Sequence, residues 1–223
     1  MKTTTLITAL LFIGTTVFSQ SGNAYSSKSG KIGYRYEIGS MKTTYTLIFD
    51  DFGKKQVIEL ENNIEGQRQK SKTIITPESI CIVNFEDQQV IKFPIDTDDK
   101  SMEMFGGGNG GFDLSELVAD VTEQETGKTG TGVVLGKKCD IYQYTDEDGS
   151  KGKYWIHKGY LIKAEFIDES GEHAYMEATD FKLDIAIDKS EFEIPSGYEV
   201  TDMTEMMEKM KMMQQMYGVP EEE

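Results

Sequence analysis

Cysteine, tryptophan, histidine and arginine are all scarce in this chain of 223 residues. It has two Cys, one Trp and two His, and its arginines are Arg35 and Arg68 alone. Two histidines cannot supply a three-histidine zinc site, and the sequence contains neither H-E-x-x-H nor G-x-S-x-G. No nucleophile with a base can be assembled either. We therefore expect a protein that is not an enzyme and that needs neither a metal nor another cofactor.

Positive charge is also in short supply. The 23 Lys and Arg residues stand against 39 Asp and Glu residues, which gives a formal charge of −16. Nucleic acids require a basic footprint on the protein, so this balance argues against them as partners. It equally argues against electrostatic binding to anionic membrane surfaces.

A hydrophobic run long enough to span a bilayer is missing. The longest run, residues 6–17 behind Lys2, is too short for a span of about 20 residues and is typical of a signal peptide. Val17 and Ser19 fit the −3 and −1 positions of a cleavage site, so we expect 1–19 to be removed. No cysteine near the cut allows lipidation. The mature protein is expected to be periplasmic or secreted and not membrane-spanning, with a charge of −17 after the loss of Lys2.

Short apolar runs with a period of two dominate the rest of the chain and indicate β-strands. The predicted strands are 31–38, 44–50, 56–60, 72–76, 79–85, 89–93, 133–145, 153–157, 160–167 and 172–187. Short connections favour antiparallel pairing, and about ten strands rarely stay in a flat open sheet. We predict a mainly β fold with few helices, built on a curled antiparallel sheet or half-barrel.

One helix is predicted between the two groups of strands, at 113–124. Asp113 and Glu116 form a capping box, and the apolar stripe of this helix comprises Leu114, Leu117, Val118 and Val121. The glycine-rich run 106–111 before it fits a hinge. The predicted organisation is a flexible segment at 20–30, the sheet domain at 31–200, a Met-rich helix at 201–217 and an acidic tail at 218–223.

The C-terminal helix carries an unusual methionine stripe. Asp202 can cap it, and one face presents Met203, Met206, Met207, Met210 and Met213. Because methionine packs on irregular apolar surfaces, we expect this face to dock on the mouth of the half-barrel or on a partner.

The two cysteines, Cys81 and Cys139, lie on predicted strands, and two alternatives stay open for them, a disulfide or two buried free thiols.

Three short motifs resemble the LolA-like superfamily, in particular its secreted members from Gram-negative bacteria. They are Gly136-Lys-Lys-Cys139-Asp-Ile-Tyr142, the nearby Glu125-Thr-Gly, and Phe192-Glu-Ile-Pro195-Ser-Gly197-Tyr198. The resemblance covers residues 34–198. It implies a half-barrel whose concave apolar face is covered by helices, and it implies carriage of lipid or lipoprotein acyl chains.

Two functions follow as hypotheses. In the first, the protein binds a hydrophobic ligand in the hollow of the half-barrel, with the helix at 113–124 as a lid. The candidate lining is Tyr34, Tyr36, Tyr45, Leu47, Phe49, Leu114, Leu117, Val118 and Val121. In the second, the protein's own helices fill the hollow, and the protein is a structural or interaction module that binds another envelope protein.

Overall fold

A computed structural model describes residues 24–39, 41–64, 67–95, 114–123, 127–145 and 149–217. These residues form twelve strands and two α-helices. The strands are β1 (Gly30–Ile38), β2 (Met41–Asp50), β3 (Lys55–Ile64), β4 (Gln67–Ile75), β5 (Ser79–Asn84), β6 (Gln89–Pro94), β7 (Lys128–Val134), β8 (Lys137–Thr145), β9 (Lys151–His157), β10 (Tyr160–Ile167), β11 (His173–Leu183) and β12 (Glu199–Asp202). The helices are α1 (Leu114–Glu123) and α2 (Thr204–Tyr217).

All twelve strands belong to one open sheet, in the order β12-β6-β5-β4-β3-β2-β1-β11-β10-β9-β8-β7. Sequential strands pair as antiparallel hairpins in each half, and the long-range antiparallel pair of β1 with β11 joins the two halves. Only β12 runs parallel to its neighbour among the described strands, where it adds to β6. The predicted curled antiparallel sheet with few helices is confirmed.

Contacts across the sheet reveal its curvature. The rings of Phe49 on β2 and Tyr160 on β10 are 6.2 Å apart between centroids, although β1 and β11 lie between their strands. Strands three places apart in a flat sheet are separated by about 14 Å, because neighbours are about 4.8 Å apart. The face that carries these rings is therefore the concave face of a half-barrel.

Each face of the sheet has its own hydrophobic cluster. Leu47 and Phe49 belong to the larger cluster, on the concave face, whereas Ile48 between them belongs to a smaller cluster on the convex face. Chain segment 184–198 covers the smaller cluster and contributes Ile187, Phe192, Ile194 and Tyr198 to it. At its border Lys72 Nζ lies 3.4 Å from Glu191 Oε2.

The structure corrects two predicted strands. Residues 133–145 are not one strand, because Leu135 and Gly136 both have positive φ and turn the chain between β7 and β8. The predicted strand 172–187 ends at Leu183. The described part of the N-terminal segment packs on the sheet: Tyr25 is 5% exposed, and the centroid of its ring lies 4.3 Å from that of Phe49. The predictions for 1–19 and 218–223 lie outside the described residues.

Both cysteines are buried free thiols, so the disulfide alternative is wrong for this structure. Cys81 on β5 packs in the smaller, convex cluster, whereas Cys139 on β8 packs in the larger one. Seven strands separate β5 from β8 in the sheet order. Burial raises the pKa of the Cys139 thiol, which makes the thiolate less accessible.

Candidate functional site

The candidate site is the concave face with α1 on it, called the hollow from here on. The structure brings the predicted lining together there. Tyr34, Tyr45, Leu47 and Phe49 are 0–3% exposed, and Tyr36 is partly buried against the same cluster. Period-two alternation along β1 and β2 places them on one face, because successive side chains of a strand point to opposite sides.

One buried tyrosine of the hollow is hydrogen-bonded to a backbone group across the sheet. The Tyr34 hydroxyl donates to the Leu161 carbonyl at 2.8 Å and so connects β1 to β10. Its ring meets that of Tyr45 edge-on at 5.7 Å. Burial raises the pKa of Tyr34 well above its usual value and that of Tyr36 to about 12. These phenols stay neutral at physiological pH and act as packing and hydrogen-bonding groups.

Helix α1 closes the hollow with its apolar stripe. Leu114, Val118 and Val121 are 4–7% exposed and belong to the larger cluster, and Leu117 packs against it partly buried. The helix lies over β10. Ala119 and Asp120 face solvent on the opposite side. The predicted glycine hinge at 106–111 lies outside the described residues.

More than half of the buried residues of the larger cluster were not in the predicted lining. The other buried members of this cluster are Tyr25, Ile32, Ile58, Cys139, Tyr154, Trp155, Ile156, Tyr160, Leu161, Ile162, Met176 and Ala178. The same alternation is present in β9, β10 and β11 and could have identified several of them. The rings of Tyr144 and Tyr154 are stacked, with their centroids 5.9 Å apart. The Tyr144 ring also packs over Gly152, where a Cβ atom would collide with the ring.

The methionine face of α2 docks only in part. Met207 is 3% exposed and Met203 is partly buried, whereas Met206 is 40% exposed and does not dock on this chain, so docking on a partner stays a prediction for it. The side chains of Met210 and Met213 lie outside the described residues. The helix contacts β6 at the far edge of the sheet from β7. Neither described helix has the length and hydrophobicity needed to cross a bilayer.

The start of α2 depends on one carboxylate. Asp202 accepts hydrogen bonds from the Thr204 hydroxyl and amide, and Lys92 Nζ lies 3.2 Å from it. Together these donors lower the pKa of Asp202 to about 2. Because the folded pKa is depressed, the stabilisation is complete above the unfolded pKa of about 3.9 and disappears as the pH falls through about 2.

Replacing Asp202 with asparagine is therefore expected to reduce the helical circular dichroism signal at neutral pH. The difference from the native chain should be complete at pH 5 and should shrink as the pH falls through about 2, where the Asp202 carboxyl takes up its proton. Glu199→Gln on the same strand is the matched control and should leave the signal unchanged. A difference that is the same at every pH would mean that the Asp202 charge has no part in starting α2.

An open cleft of about 370 Å³ lies elsewhere, at the N-terminal end of β1. It is lined by Lys28, Ser29, Asp50, Asp184, Ile185, Ala186 and Ile187. Its mixed charges differ from the apolar lining expected for an acyl chain. Within the described residues, no three His, Cys, Asp or Glu side chains are grouped as a metal site requires.

Comparison with known proteins adds information on the fold. No family model matches the chain, and no curated protein matches it. The structure of an uncharacterized conserved protein from Thermus thermophilus is similar at 11% identity over 79% of this chain and 91% of that one, with a TM-score of 0.52. At this identity the similarity shows a shared fold only. The resemblance to the LolA-like superfamily stays a prediction.

Two structures of MucB, one of them in complex with MucA(peri), were also found. MucB alone is 13% identical to this chain, with a TM-score of 0.46. MucB in the complex is 14% identical, with a TM-score of 0.45. The match to MucB alone covers 80% of this chain and 61% of the MucB chain. The match to the complex covers 78% of this chain and 56% of the MucB chain. TM-scores below 0.5 do not establish a shared fold, so these two structures say nothing about function here.

Proposed function

We propose that this chain is a non-enzymatic protein-interaction module of the cell envelope whose hollow is filled by its own side chains. One observation carries the proposal: the stripe of α1 and the facing residues of β1 and β2 pack in a single buried cluster. An acyl chain would need the space that Leu114, Val118 and Val121 occupy. The envelope location in this proposal is supported by the signal-peptide pattern of residues 1–19.

Carriage of a lipid is the second candidate, and the way α1 is attached favours it. A helix of ten residues is not stable alone in water, so α1 stays ordered only while its stripe is packed. Its contacts with the sheet are concentrated on β10. A hydrophobic ligand could therefore displace the helix and take over the apolar surface that it covers.

Titration with cis-parinaric acid, a fluorescent fatty acid, separates the two functions. The only tryptophan, Trp155, belongs to the larger cluster, below Lys153 and Lys163, and is close enough to the hollow to report on binding through energy transfer to the probe. A filled hollow predicts no saturable quenching of Trp155 by the probe at micromolar concentration. Saturable one-to-one quenching that unlabelled lauric acid reverses would overturn the interaction module and support carriage.

A matched variant identifies where any bound probe lies. Leu117→Trp places a second reporter on the half-buried part of α1, and Met212→Trp places one on the exposed face of α2. Binding in the hollow would quench the first added tryptophan and leave the second unchanged. Equal quenching of both would indicate adsorption to the surface, which leaves the filled hollow in place.

A further inference from the structure

The two edges of the sheet are built differently. At one edge β12 is only four residues long and carries exposed acidic residues at both ends, Glu199 and Asp202. At the other edge β7 has a neighbouring strand on one side only, in the part of the chain that the structure describes. Residues 129–136 of this edge carry no charge and no proline. Charges and proline are the common devices that keep an edge from pairing, so this edge is not protected by them.

The β7–β8 hairpin determines which backbone groups face outwards. Val134 pairs with Lys137 across the two-residue turn Leu135-Gly136. Residues that flank a two-residue turn form a hydrogen-bonded pair, and such pairs alternate with pairs whose N–H and C=O groups point away. The backbone groups of Val133 and Thr131, which lie one and three residues before Val134, therefore point to the outer edge.

Two apolar side chains are exposed at the same place. Val133 is 72% exposed, the most of any large hydrophobic side chain in the described residues, and Leu135 is 44% exposed. Leu135 also has φ of +50°, a conformation in which Asn or Gly is strongly preferred in a two-residue hairpin turn. A leucine that is both strained and exposed gains nothing for the folded chain alone, which points to a contact with another molecule.

Lysines surround this apolar end. Lys137 and Lys138 follow the turn directly, and Lys158 is next to His157, whose Nδ1 lies 2.7 Å from the Lys138 carbonyl. Lys128, at the other end of β7, is paired with Asp140 at 2.7 Å. In a chain of net charge −16, this corner is locally basic. An acidic partner is attracted to it by charge complementarity.

We propose that the outer edge of β7 binds an extended segment of a partner polypeptide by strand addition. Apolar side chains of the segment contact Val133 and Leu135, and its acidic residues lie near Lys137 and Lys138. Strand addition obtains affinity from the backbone hydrogen bonds and specificity from alternate side chains. This inference rests on the proposed function, because it names the surface by which the module binds.

A second copy of the chain suits the edge less well. Antiparallel pairing of two β7 strands would leave Lys137 and Lys138 of each copy without an acidic partner, because Lys128 and Asp140 are already paired with each other. Two chains that each carry −16 also repel one another at low ionic strength. The charges thus favour an acidic segment from a different protein.

The test uses the full mature chain and a fluorescent synthetic peptide in which three valines alternate with threonines and two aspartates stand at each end. Saturable binding is expected by fluorescence anisotropy. Thr131→Pro removes one outward N–H and is expected to weaken binding about tenfold, whereas the control Thr131→Val keeps that N–H and should stay within about twofold. Replacing the end aspartates with lysines should also weaken binding at least about tenfold.

Leu135→Asn provides a variant that does not depend on the tolerance for proline. Asparagine suits the positive φ, so the variant should melt at or above the temperature of the native chain, yet bind the peptide about fivefold more weakly. The proposal is overturned if the aspartate peptide does not bind, if Thr131→Pro binds like Thr131→Val, or if Leu135→Asn binds like the native chain.

Two further results would assign the edge to another occupant and so overturn the proposal. One is a native dimer in sedimentation that Thr131→Pro dissociates, which means a second copy. The other is strong hydrogen-exchange protection of the Thr131 and Val133 amides without peptide, which means a segment of the same chain. The parinaric acid titration reports on the hollow alone, so failure at the edge and failure of the filled hollow are seen separately.

Discussion

Replacing Phe49 with alanine is expected to lower the free energy of unfolding by about 3–5 kcal/mol, the usual cost of removing a buried aromatic ring. Phe49 is fully buried, and the centroid of its ring lies 4.3 Å from that of Tyr25 and 6.2 Å from that of Tyr160. The ring therefore joins the N-terminal segment to both halves of the sheet. Its neighbour Gly30 has no Cβ, and a Cβ there would come within 2.6 Å of the ring. The surroundings are therefore shaped to this ring and cannot easily fill its place.

Thermal unfolding of Phe49→Ala measures the effect. For a chain of this size, the loss corresponds to a melting temperature lower by about 6–20 °C. Met212→Ala is the control, because Met212 is 56% exposed and its removal should cost no more than about 0.5 kcal/mol. Equal melting temperatures for the two variants would show that the ring contacts around Phe49 do not stabilise the fold.

The sequence predicted the concave face well where alternation is regular. Tyr34, Leu47 and Phe49 could be placed together because a period of two assigns every second residue to one face. The convex cluster was not predicted, although the apolar run Leu47-Ile48-Phe49 signals a strand that is covered on both faces. What covers Ile48 is segment 184–198, and no local pattern shows that a chain segment packs on strands more than a hundred residues earlier.

Two other features were missed for different physical reasons. Val133-Val134-Leu135 is a continuous apolar run, which is typical of a strand, and leucine is a poor residue for positive φ, so Gly136 alone marked the turn in the sequence. Tyr25 is a single aromatic residue among small polar ones, and only its tertiary contacts with Phe49 and Tyr160 reveal its place in the core. In both cases tertiary structure prevails over local preference.

Replacing Val118 with aspartate is expected to detach α1 from the hollow while the sheet remains folded. Val118 is 6% exposed among apolar side chains, and an unpaired carboxylate buried there costs several kcal/mol. The cheaper response is for the helix to leave the sheet, because it has only ten residues and is stabilised chiefly by this packing. The strand ladders and the convex cluster do not involve α1 and should persist.

The measurements are far-ultraviolet circular dichroism and binding of the dye 1-anilinonaphthalene-8-sulfonate, and Ala119→Asp is a closely matched control. It adds the same charge one residue away on the exposed side of the same helix. We expect Val118→Asp to keep the strand signal and to gain strong dye fluorescence from the uncovered concave face, while Ala119→Asp behaves like the native chain. If both variants resemble the native chain, α1 is not what closes the hollow.

The same variant also decides between the two functions of the hollow. If the site carries lipid, the native chain binds parinaric acid weakly because α1 competes with it, and detaching α1 should raise the affinity by the factor that displacing the helix had cost. If the helix is a permanent part of the core, the native chain shows no saturable binding, and Val118→Asp binds apolar probes without a fixed stoichiometry. A one-to-one complex that becomes tighter in Val118→Asp would therefore identify the helix as a lid over a ligand site, and the interaction-module proposal would be wrong.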